Sequence, residues 1–300
     1  MSISKLDWVG HAKRSAVIAG IQFERRLGDL DYNVSKAAEL VSDAAKQGAR
    51  IIALPELFST GYFPLGPSVS NEYFDWAETA DGSAVSAMRT VAKDTGATII
   101  VPIFEFSPML RMYYNTAFIV GPSGILGTYR KRHLPSTPLA MEAYYFSVGN
   151  LPYGVFEVDG TMVGVSICYD RHFPEVYRHL ALKGAEVVFS VNNTFSTHNT
   201  ETWEFEMRAS ASSNGIYIVQ NNAVGEFPDI PDKSFFGRTS IVDPYGTVLK
   251  RMGAEEGFVM DTVDLGRIDE SRRRYGPIRD ARYEDLGLSW PAATHGLLRD

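Results

Sequence analysis

The sequence predicts a layered α/β fold, in which sheet-forming strands alternate with helices that pack on them. Three observations support this. Apolar runs typical of buried strands alternate with segments of helical periodicity along most of the 300 residues. Apolar residues make up 45% of the chain and charged residues 22%, which is enough to build a sizeable core. No low-complexity linker divides the sequence, so we predict one domain over residues 1–300, with a core at about 16–282 and a tail at 283–300.

Strands and helices are predicted from local patterns, in chain order. The strand segments are SAVIAGIQF, RIIALPE, TIIVPIFEF, NTAFIVGPSG, GVFEVDGTMVGVSICY, AEVVFSV, GIYIVQNNAVG and GRTSIVDPYGTVLKRM. The helix segments are NVSKAAELVSDAAKQGA, GSAVSAMRTVAKDTGA, PEVYRHLALKGA and TETWEFEMRASASSNG. Gly48, Gly96 and Gly184 stand where three of these helices should end, and Pro174 suits a first helical turn.

Two stretches resemble each other and hint at an internal similarity. TAFIVGPSGILGTYRK and TSIVDPYGTVLKRM each combine a strand, a turn with proline and glycine, and a second strand that ends in basic residues. They suggest two similar halves packed as a sandwich. Hairpins are common, so chance similarity explains the pattern equally well.

Composition excludes several classes of function. A formal charge of −7 and a pI near 5.5 argue against a general nucleic-acid binder, because no basic surplus neutralises phosphates. No apolar run approaches the roughly 20 residues that span a bilayer. The polar N-terminal stretch lacks the apolar centre of a secretory signal, and one cysteine cannot form an internal disulfide. We therefore expect a cytoplasmic protein that binds neither membranes nor nucleic acid.

Three strand-like segments lead into reactive side chains: Glu56, Lys131 and Cys168, the only cysteine. A thiol, a carboxylate and an ammonium are the groups that acyl transfer through a covalent intermediate requires. A Cys–His arrangement with His133 or His172 stays open. The six histidines include no pair at helical i, i+4 spacing, so no metal site is predicted, and no cofactor.

Three motifs in the same order resemble the nitrilase or carbon–nitrogen hydrolase superfamily. They are LPELFSTGY, YRKRHLP and GVSICYDRHFPEVYRHLALKGAEVVF, and the resemblance extends from about Ala16 to Arg282. It implies an α-β-β-α sandwich that dimerises into a thicker layer stack. We therefore expect a homodimer or a higher homo-oligomer.

The resemblance also implies roles for individual residues. Cys168 would be the nucleophile, Glu56 the general base and Lys131 the group that stabilises the oxyanion. Glu142, in TPLAMEAYYFSVG, would position the substrate or Lys131, unless it is a surface ion. The backbone N–H of Tyr169 would be a second oxyanion donor, and Tyr169 is also a candidate for substrate binding.

The segment CYDRHFPE resembles the version of the cysteine motif found in N-carbamoyl-amino-acid hydrolases. Its guanidinium, on Arg171, suits a substrate carboxylate, although a salt bridge to Asp170 or Glu175 is the alternative. His172 stands where enzymes for D-amino acids often have a second arginine, whereas β-ureidopropionase-like enzymes have Arg-His. The remaining candidates for substrate binding are His133, Asn193 and Thr194, the last two in NNTFSTHNT.

We therefore predict a metal-independent cysteine amidohydrolase whose partner is a small molecule, an N-carbamoyl amino acid of the D-amino-acid or β-alanine type. Three alternatives stay open. The first is an amidase for a simple aliphatic or ω-carboxyl amide, and the second an N-carbamoylputrescine-type amidase. The third is an inactive small-molecule-binding module.

Overall fold

The computed structural model describes residues 14–66, 68–137, 140–195, 199–227 and 234–282, so the predicted tail at 283–300 lies outside the described residues. The strands are β1 Ser15–Gln22, β2 Ile51–Ala53, β3 Thr98–Ser107, β4 Met112–Gly121, β5 Gly124–Arg130, β6 Ser136–Thr137, β7 Ala140–Met141, β8 Val155–Val158, β9 Thr161–Ile167, β10 Val187–Val191, β11 Tyr217–Asn221, β12 Val224–Glu226, β13 Ser234–Phe236, β14 Ser240–Val242, β15 Val248–Arg251 and β16 Gly257–Asp264. The helices are α1 Leu30–Lys46, α2 Ser83–Thr95, α3 Glu142–Tyr145, α4 Pro174–Leu182, α5 Asn199–Asn214 and α6 Gly266–Tyr275, with 3-10 turns at Asn71–Trp76 and Cys168–His172.

Two six-stranded sheets form the centre of the molecule. The first has the order β16-β1-β2-β3-β4-β5, and the second β15-β14-β11-β10-β9-β8. In the first sheet β1, β2 and β3 are parallel to one another. In the second sheet the parallel strands are β9, β10 and β11. The outer strands of both sheets pair antiparallel.

The core lies in three apolar layers, which makes the fold a four-layer α-β-β-α sandwich. The central layer joins the two sheets, with Ile18 and Ile100 from the first and Val165 and Phe189 from the second. A second layer fills the space between the first sheet and helices α1 and α2. A third lies between the second sheet and helices α4 and α5. The predicted fold class is confirmed.

The boundaries of the helices follow from their terminal residues. The Asp29 side chain accepts a hydrogen bond from the Tyr32 N–H and begins α1, and Pro174 occupies the first turn of α4. Helix α2 ends at Gly96, whose φ of 71° lies in the left-handed region that glycine adopts without a steric penalty.

The two similar stretches occupy corresponding places in the fold. TAFIVGPSGILGTYRK spans the β4–β5 hairpin and TSIVDPYGTVLKRM spans the β14–β15 hairpin. Each hairpin follows the last parallel strand of its sheet. The likeness therefore corresponds to a shared topology of the two halves.

The sequence prediction missed two of the longer elements, strand β16 and helix α6, and the short elements β6, β7, α3 and β13. Strand β16 pairs antiparallel with β1 along eight residues and completes the edge of the first sheet. Within the described part of the chain, no helix is long and apolar enough to cross a bilayer.

Candidate active site

Glu56 lies just beyond β2, in a sharply bent segment that fixes its backbone. The next residue, Leu57, has a φ of 49°, which is unusual for a residue with a branched side chain. The carbonyl oxygen of Glu56 accepts hydrogen bonds from Arg25 Nη1 and Asn193 Nδ2, both at 2.8 Å. Two long-range donors thus hold the backbone of Glu56 where the segment leaves the strand.

Lys131 follows β5 and lies between two carboxylates. Its Nζ is 2.8 Å from Oε1 of Glu56 and 2.7 Å from Oε1 of Glu142, and all three side chains are inaccessible to solvent. Neutral donors complete the arrangement, because Asn115 Nδ2 binds Glu56 Oε1 at 2.8 Å and the Tyr62 hydroxyl binds Glu142 Oε1 at 2.6 Å. Glu142 is therefore a buried member of the site and not a surface ion.

The charges in this cluster change one another's protonation. Burial and the Glu56 charge raise the pKa of Glu142 to about 7, although Lys131 opposes this shift. Burial alone would lower the pKa of the Lys131 ammonium, but the Glu142 and Glu56 carboxylates outweigh it and raise that pKa well above its ordinary value. Lys131 therefore stays charged and provides a fixed cation.

Cys168 stands at the point where β9 ends and the 3-10 turn begins. Its φ of 47° is left-handed, so the chain turns sharply at the thiol. Burial and the charge of Glu56 raise the pKa of the thiol to about 12, against the opposing effects of Lys131 and Arg171. The thiol could lose its proton in two ways, either because Lys131 stabilises a thiolate or because Glu56 accepts the proton. The raised pKa favours proton transfer to Glu56 during attack, because the resting group is a neutral thiol.

Asp170 connects the segment that carries the thiol to the segment that carries Lys131. It is fully buried, and its Oδ2 accepts bonds from the Tyr129 hydroxyl at 2.7 Å and the Ile167 N–H at 3.0 Å. Its Oδ1 lies 3.1 Å from the His133 backbone nitrogen and 2.7 Å from Nδ1 of the same residue. The His133 ring also stacks on Phe173, with ring centroids 3.7 Å apart. These contacts make Asp170 a bridge between the two segments, and they account for the position of His133.

Arg171 and His172 share a partner, Glu206 on α5. Arg171 Nε is 3.3 Å from Glu206 Oε2, and His172 Nδ1 is 2.5 Å from Glu206 Oε1. The Arg171 guanidinium carbon lies 5.5 Å from the ring centroid of Trp203, and Nη1 lies 3.9 Å from the Cys168 sulfur. The salt bridge considered from the sequence does exist, but its acid is Glu206 instead of Asp170 or Glu175. Glu206 is far from Arg171 along the chain, and no sequence signal indicated it.

The other predicted substrate contacts differ in their surroundings. The Tyr169 ring packs edge-on against His172 and Phe173. Asn193 reaches the site through the Glu56 carbonyl, and its Oδ1 is buried without a hydrogen-bond partner. The Thr194 N–H donates to Asn222 Oδ1 at 2.8 Å, and the Thr194 hydroxyl is buried without a partner. Their contacts with substrate stay predictions.

A cavity of about 540 Å³ opens beside the cluster. Tyr62 belongs to both, because it lines the cavity and donates to Glu142. Its other lining residues include aromatic side chains and charged ones: Phe63, Tyr73, Phe227 and Phe235, with Glu24, Arg25, Arg26 and Glu226. Across the described ranges no group of three or more His, Cys, Asp or Glu side chains is placed to hold a metal ion.

A buried thiol, two carboxylates and an ammonium are the groups that a cysteine hydrolase of α/β type requires. The family model described as carbon-nitrogen hydrolase matches residues 17–273, so the chain belongs to the carbon–nitrogen hydrolase family and is an enzyme of that class.

Similar proteins agree with this assignment. The chain is 32% identical over 285 residues to an N-carbamoylputrescine amidase of Solanum lycopersicum, covering 90% of this chain and 93% of that one. It is 34% identical over 257 residues to a nitrilase of Pyrococcus abyssi, covering 85% and 92%. A carbon–nitrogen hydrolase structure from Helicobacter pylori G27 superposes with a TM-score of 0.84 at 26% identity, over 93% of this chain and 100% of that chain.

Proposed function

We propose that the chain hydrolyses an N-carbamoyl amino acid through a covalent carbamoyl intermediate on Cys168. The observation that carries the chemistry is the buried Lys131 ammonium, which Glu56 and Glu142 hold in place, with the charges of Lys131 and Glu56 both acting on the Cys168 thiol. A nucleophile, a proton acceptor and a fixed cation are thereby brought together. Because these groups are already in place before the substrate binds, no free energy is needed to bring them together during the reaction.

The first half of the reaction forms the covalent intermediate. As the Cys168 sulfur attacks the ureido carbon, Glu56 takes the thiol proton, so no free thiolate is needed. The carbonyl oxygen becomes negative and is stabilised by the Lys131 ammonium and the N–H of Tyr169. Collapse of the adduct breaks one C–N bond, and the proton held by Glu56 passes to the departing nitrogen.

The second half releases the acyl group by hydrolysis. Glu56, again ionised, removes a proton from a water molecule that attacks the thioester carbon. The oxygen bears negative charge again and faces the same donors. The carbon–sulfur bond then breaks and the thiol regains its proton. The product is a carbamic acid, which decomposes to carbon dioxide and the nitrogen compound that did not leave in the first half, so the whole reaction yields ammonia and the amino acid.

A carboxylate-bearing substrate is supported by two guanidinium groups close to the reacting groups. Arg171 lies 3.9 Å from the sulfur, and Arg25 donates to the carbonyl of Glu56 from the cavity wall. Guanidinium groups bind carboxylates through two parallel hydrogen bonds, so either arginine could hold the acid group of an N-carbamoyl amino acid.

An N-carbamoyl amine with a cationic end is the second candidate. It is favoured by Glu24 and Glu226, two exposed carboxylates on the cavity lining, and by the N-carbamoylputrescine amidase relative. The two candidates differ in the sign of the charge that the cavity must accept, so a matched substrate series separates them.

The experiment compares kcat/KM for N-carbamoyl-β-alanine, N-carbamoylpropylamine and N-carbamoylputrescine, with propionamide and propionitrile as plain substrates. We expect the carboxylate-bearing compound to rank first, with carbon dioxide released together with ammonia. Cys168→Ala is the matched inactive control. A preference for N-carbamoylputrescine would establish the second candidate, and a preference for propionamide or propionitrile would refute a carbamoyl substrate.

A further inference from the structure

We propose that Arg25, and not Arg171, is the residue that binds the carboxylate of the substrate. This inference rests on the proposed function, which requires a carboxylate-bearing substrate. It deepens that function by naming a specificity-determining residue that lies outside the three catalytic motifs.

Arg25 lines the cavity and contacts the backbone of Glu56. It follows β1 by three residues and lines the cavity together with Tyr62 and Phe235. Its Nη1 donates to the Glu56 carbonyl at 2.8 Å, and its guanidinium carbon is 5.3 Å from the ring centroid of Phe235. One nitrogen is thus anchored on the backbone of Glu56, and the side chain forms part of the cavity wall.

The charge of Arg25 has no counterion of its own. Across the described ranges no carboxylate forms a salt bridge with it, and its Nε is buried without a hydrogen-bond partner. By contrast, Arg130 pairs with Glu105 and Arg26 with Asp29. Burial lowers the pKa of Arg25 to about 10, against the opposing charge of Glu56, yet the group remains cationic at neutral pH. A cation with a buried, unused donor is the feature that an entering carboxylate would compensate.

Arg171 also has a buried Nε without a hydrogen-bond partner, but unlike Arg25 it has a carboxylate at salt-bridge distance. It is only 5% exposed, its Nε faces Glu206, and its guanidinium packs over Trp203. A substrate carboxylate at Arg171 would have to compete with Glu206, which already supplies a negative charge. Arg171 is better placed to act on the thiol, because Nη1 approaches both the sulfur and the carbonyl oxygen of Cys168.

The aromatic lining should strengthen a pairing at Arg25. Phe227 and Phe235 pack against each other with ring centroids 4.4 Å apart, and Tyr62 lies edge-on to Phe235. Charges that meet against such apolar walls attract each other more strongly than charges in open water. The aliphatic part of a small amino acid would pack on the same rings.

The first test measures selectivity, the ratio of kcat/KM for N-carbamoyl-β-alanine to that for N-carbamoylpropylamine. Because Nη1 of Arg25 also holds the Glu56 backbone, Arg25→Met should slow both substrates, so only the ratio is diagnostic. We expect the ratio to fall about 100-fold in Arg25→Met, as for loss of one partner of a buried charge pair. Arg25→Lys should give a smaller fall, because it keeps the charge but loses the planar fork. Arg50→Met, at a surface arginine paired with Asp159 and outside the cavity lining, should leave the ratio unchanged.

Arg171→Met decides between the two arginines. A fall in the ratio confined to Arg171→Met would overturn the proposal and assign the carboxylate to Arg171. An unchanged ratio in Arg25→Met would also overturn it, leaving Arg25 with only its structural bond to Glu56.

The second test does not depend on turnover, which keeps it separate from the proposed function. Propionate should protect the thiol of Cys168 from alkylation by iodoacetamide in the wild-type protein, and about tenfold less well in Arg25→Met. If the wild type turned over no carbamoyl substrate but showed this protection, the proposed function would fail while the carboxylate site stood. No protection in the wild type, or equal protection in both proteins, would refute the site itself.

Discussion

Replacing Lys131 by methionine tests whether the buried ammonium stabilises the two neighbouring carboxylates and the oxyanion. Methionine has a similar length and fills the same space, so the change removes the charge with little loss of packing. Glu56 and Glu142 would then lie buried and close together without the ammonium that bridges them at 2.8 and 2.7 Å. Breaking a buried ion pair by removing one partner typically costs about 3–5 kcal/mol, and we expect a loss of that size at mildly alkaline pH.

The same variant has a characteristic dependence on pH. Without the ammonium, the pKa of Glu142, which is already about 7 in the native protein, should rise further. A carboxyl group with a raised pKa keeps a proton that the unfolded chain releases. The free energy of unfolding therefore falls as the pH rises from the ordinary carboxyl pKa to the raised one. The destabilisation by Lys131→Met should consequently be larger at about pH 8 than at about pH 5.5.

Urea unfolding at these two pH values measures the stability of the variant, and release of ammonia measures its activity. We expect kcat to fall by roughly two to three orders of magnitude, the usual effect of losing one preorganised oxyanion donor. Lys93→Met on α2 is the matched control, because Lys93 is exposed. Equal destabilisation at both pH values would refute the charge argument, and near-normal kcat would refute the role of Lys131 in stabilising the oxyanion.

Four further variants test the remaining roles. Cys168→Ala should abolish turnover while leaving the unfolding midpoint close to that of the wild type. Cys168→Ser should not restore activity, because the surroundings of Lys131 and Glu56 suit a sulfur nucleophile better than an alkoxide. Glu56→Gln should slow both covalent steps, and an adduct on Cys168 should become visible by mass spectrometry. Glu142→Gln should flatten the change of kcat/KM around pH 7, because the group titrating at about 7 is removed. Asp170→Asn should lower the free energy of unfolding by about 1–3 kcal/mol and reduce kcat, because it weakens the bridge between the two catalytic segments.

Different outcomes would contradict each of these expectations. Residual turnover in Cys168→Ala would exclude a covalent mechanism on that sulfur. A Glu56→Gln protein with normal burst and steady-state rates would remove Glu56 from proton transfer. An unchanged pH profile in Glu142→Gln would show that another group titrates near neutrality. A fully stable and active Asp170→Asn would reduce Asp170 to a replaceable polar residue.

The sequence predicted those parts of the molecule that depend on local pattern. Strand ends can be located from apolar runs and turn residues, so Glu56, Lys131 and Cys168 could be singled out by their places along the chain. Helix ends were predictable where glycine or proline fixes the backbone, as at Gly96 and Pro174. Strand β16 and helix α6 were missed, since α6 is rich in charged residues and has little apolar periodicity.

Contacts between distant segments could not be predicted in this way. A salt bridge of Arg171 was considered only as an alternative and only with acids close in sequence, yet its partner Glu206 comes from the other side of a helix and a strand. Arg25 was not predicted as a substrate-binding residue, because nothing in its own segment of the sequence indicates such a site. Arg25 is a candidate because it donates to the carbonyl of Glu56, 31 positions away, and because it lines a cavity that forms only in the folded chain.

The shared topology of the two halves explains why such distant residues meet. In each sheet the three parallel strands point the same way, and their carboxyl ends carry the polar groups: Glu56 follows β2, Cys168 follows β9 and Asn193 follows β10. Asn221, at the end of β11, donates to the backbone oxygens of Ile21 and Ala53 at the ends of β1 and β2, so these carboxyl ends face each other across the sandwich. In the proposed mechanism one half therefore supplies the base, Glu56, and the other the nucleophile, Cys168. Neither half holds the whole candidate site, so the proposed mechanism requires the two sheets to be packed in register.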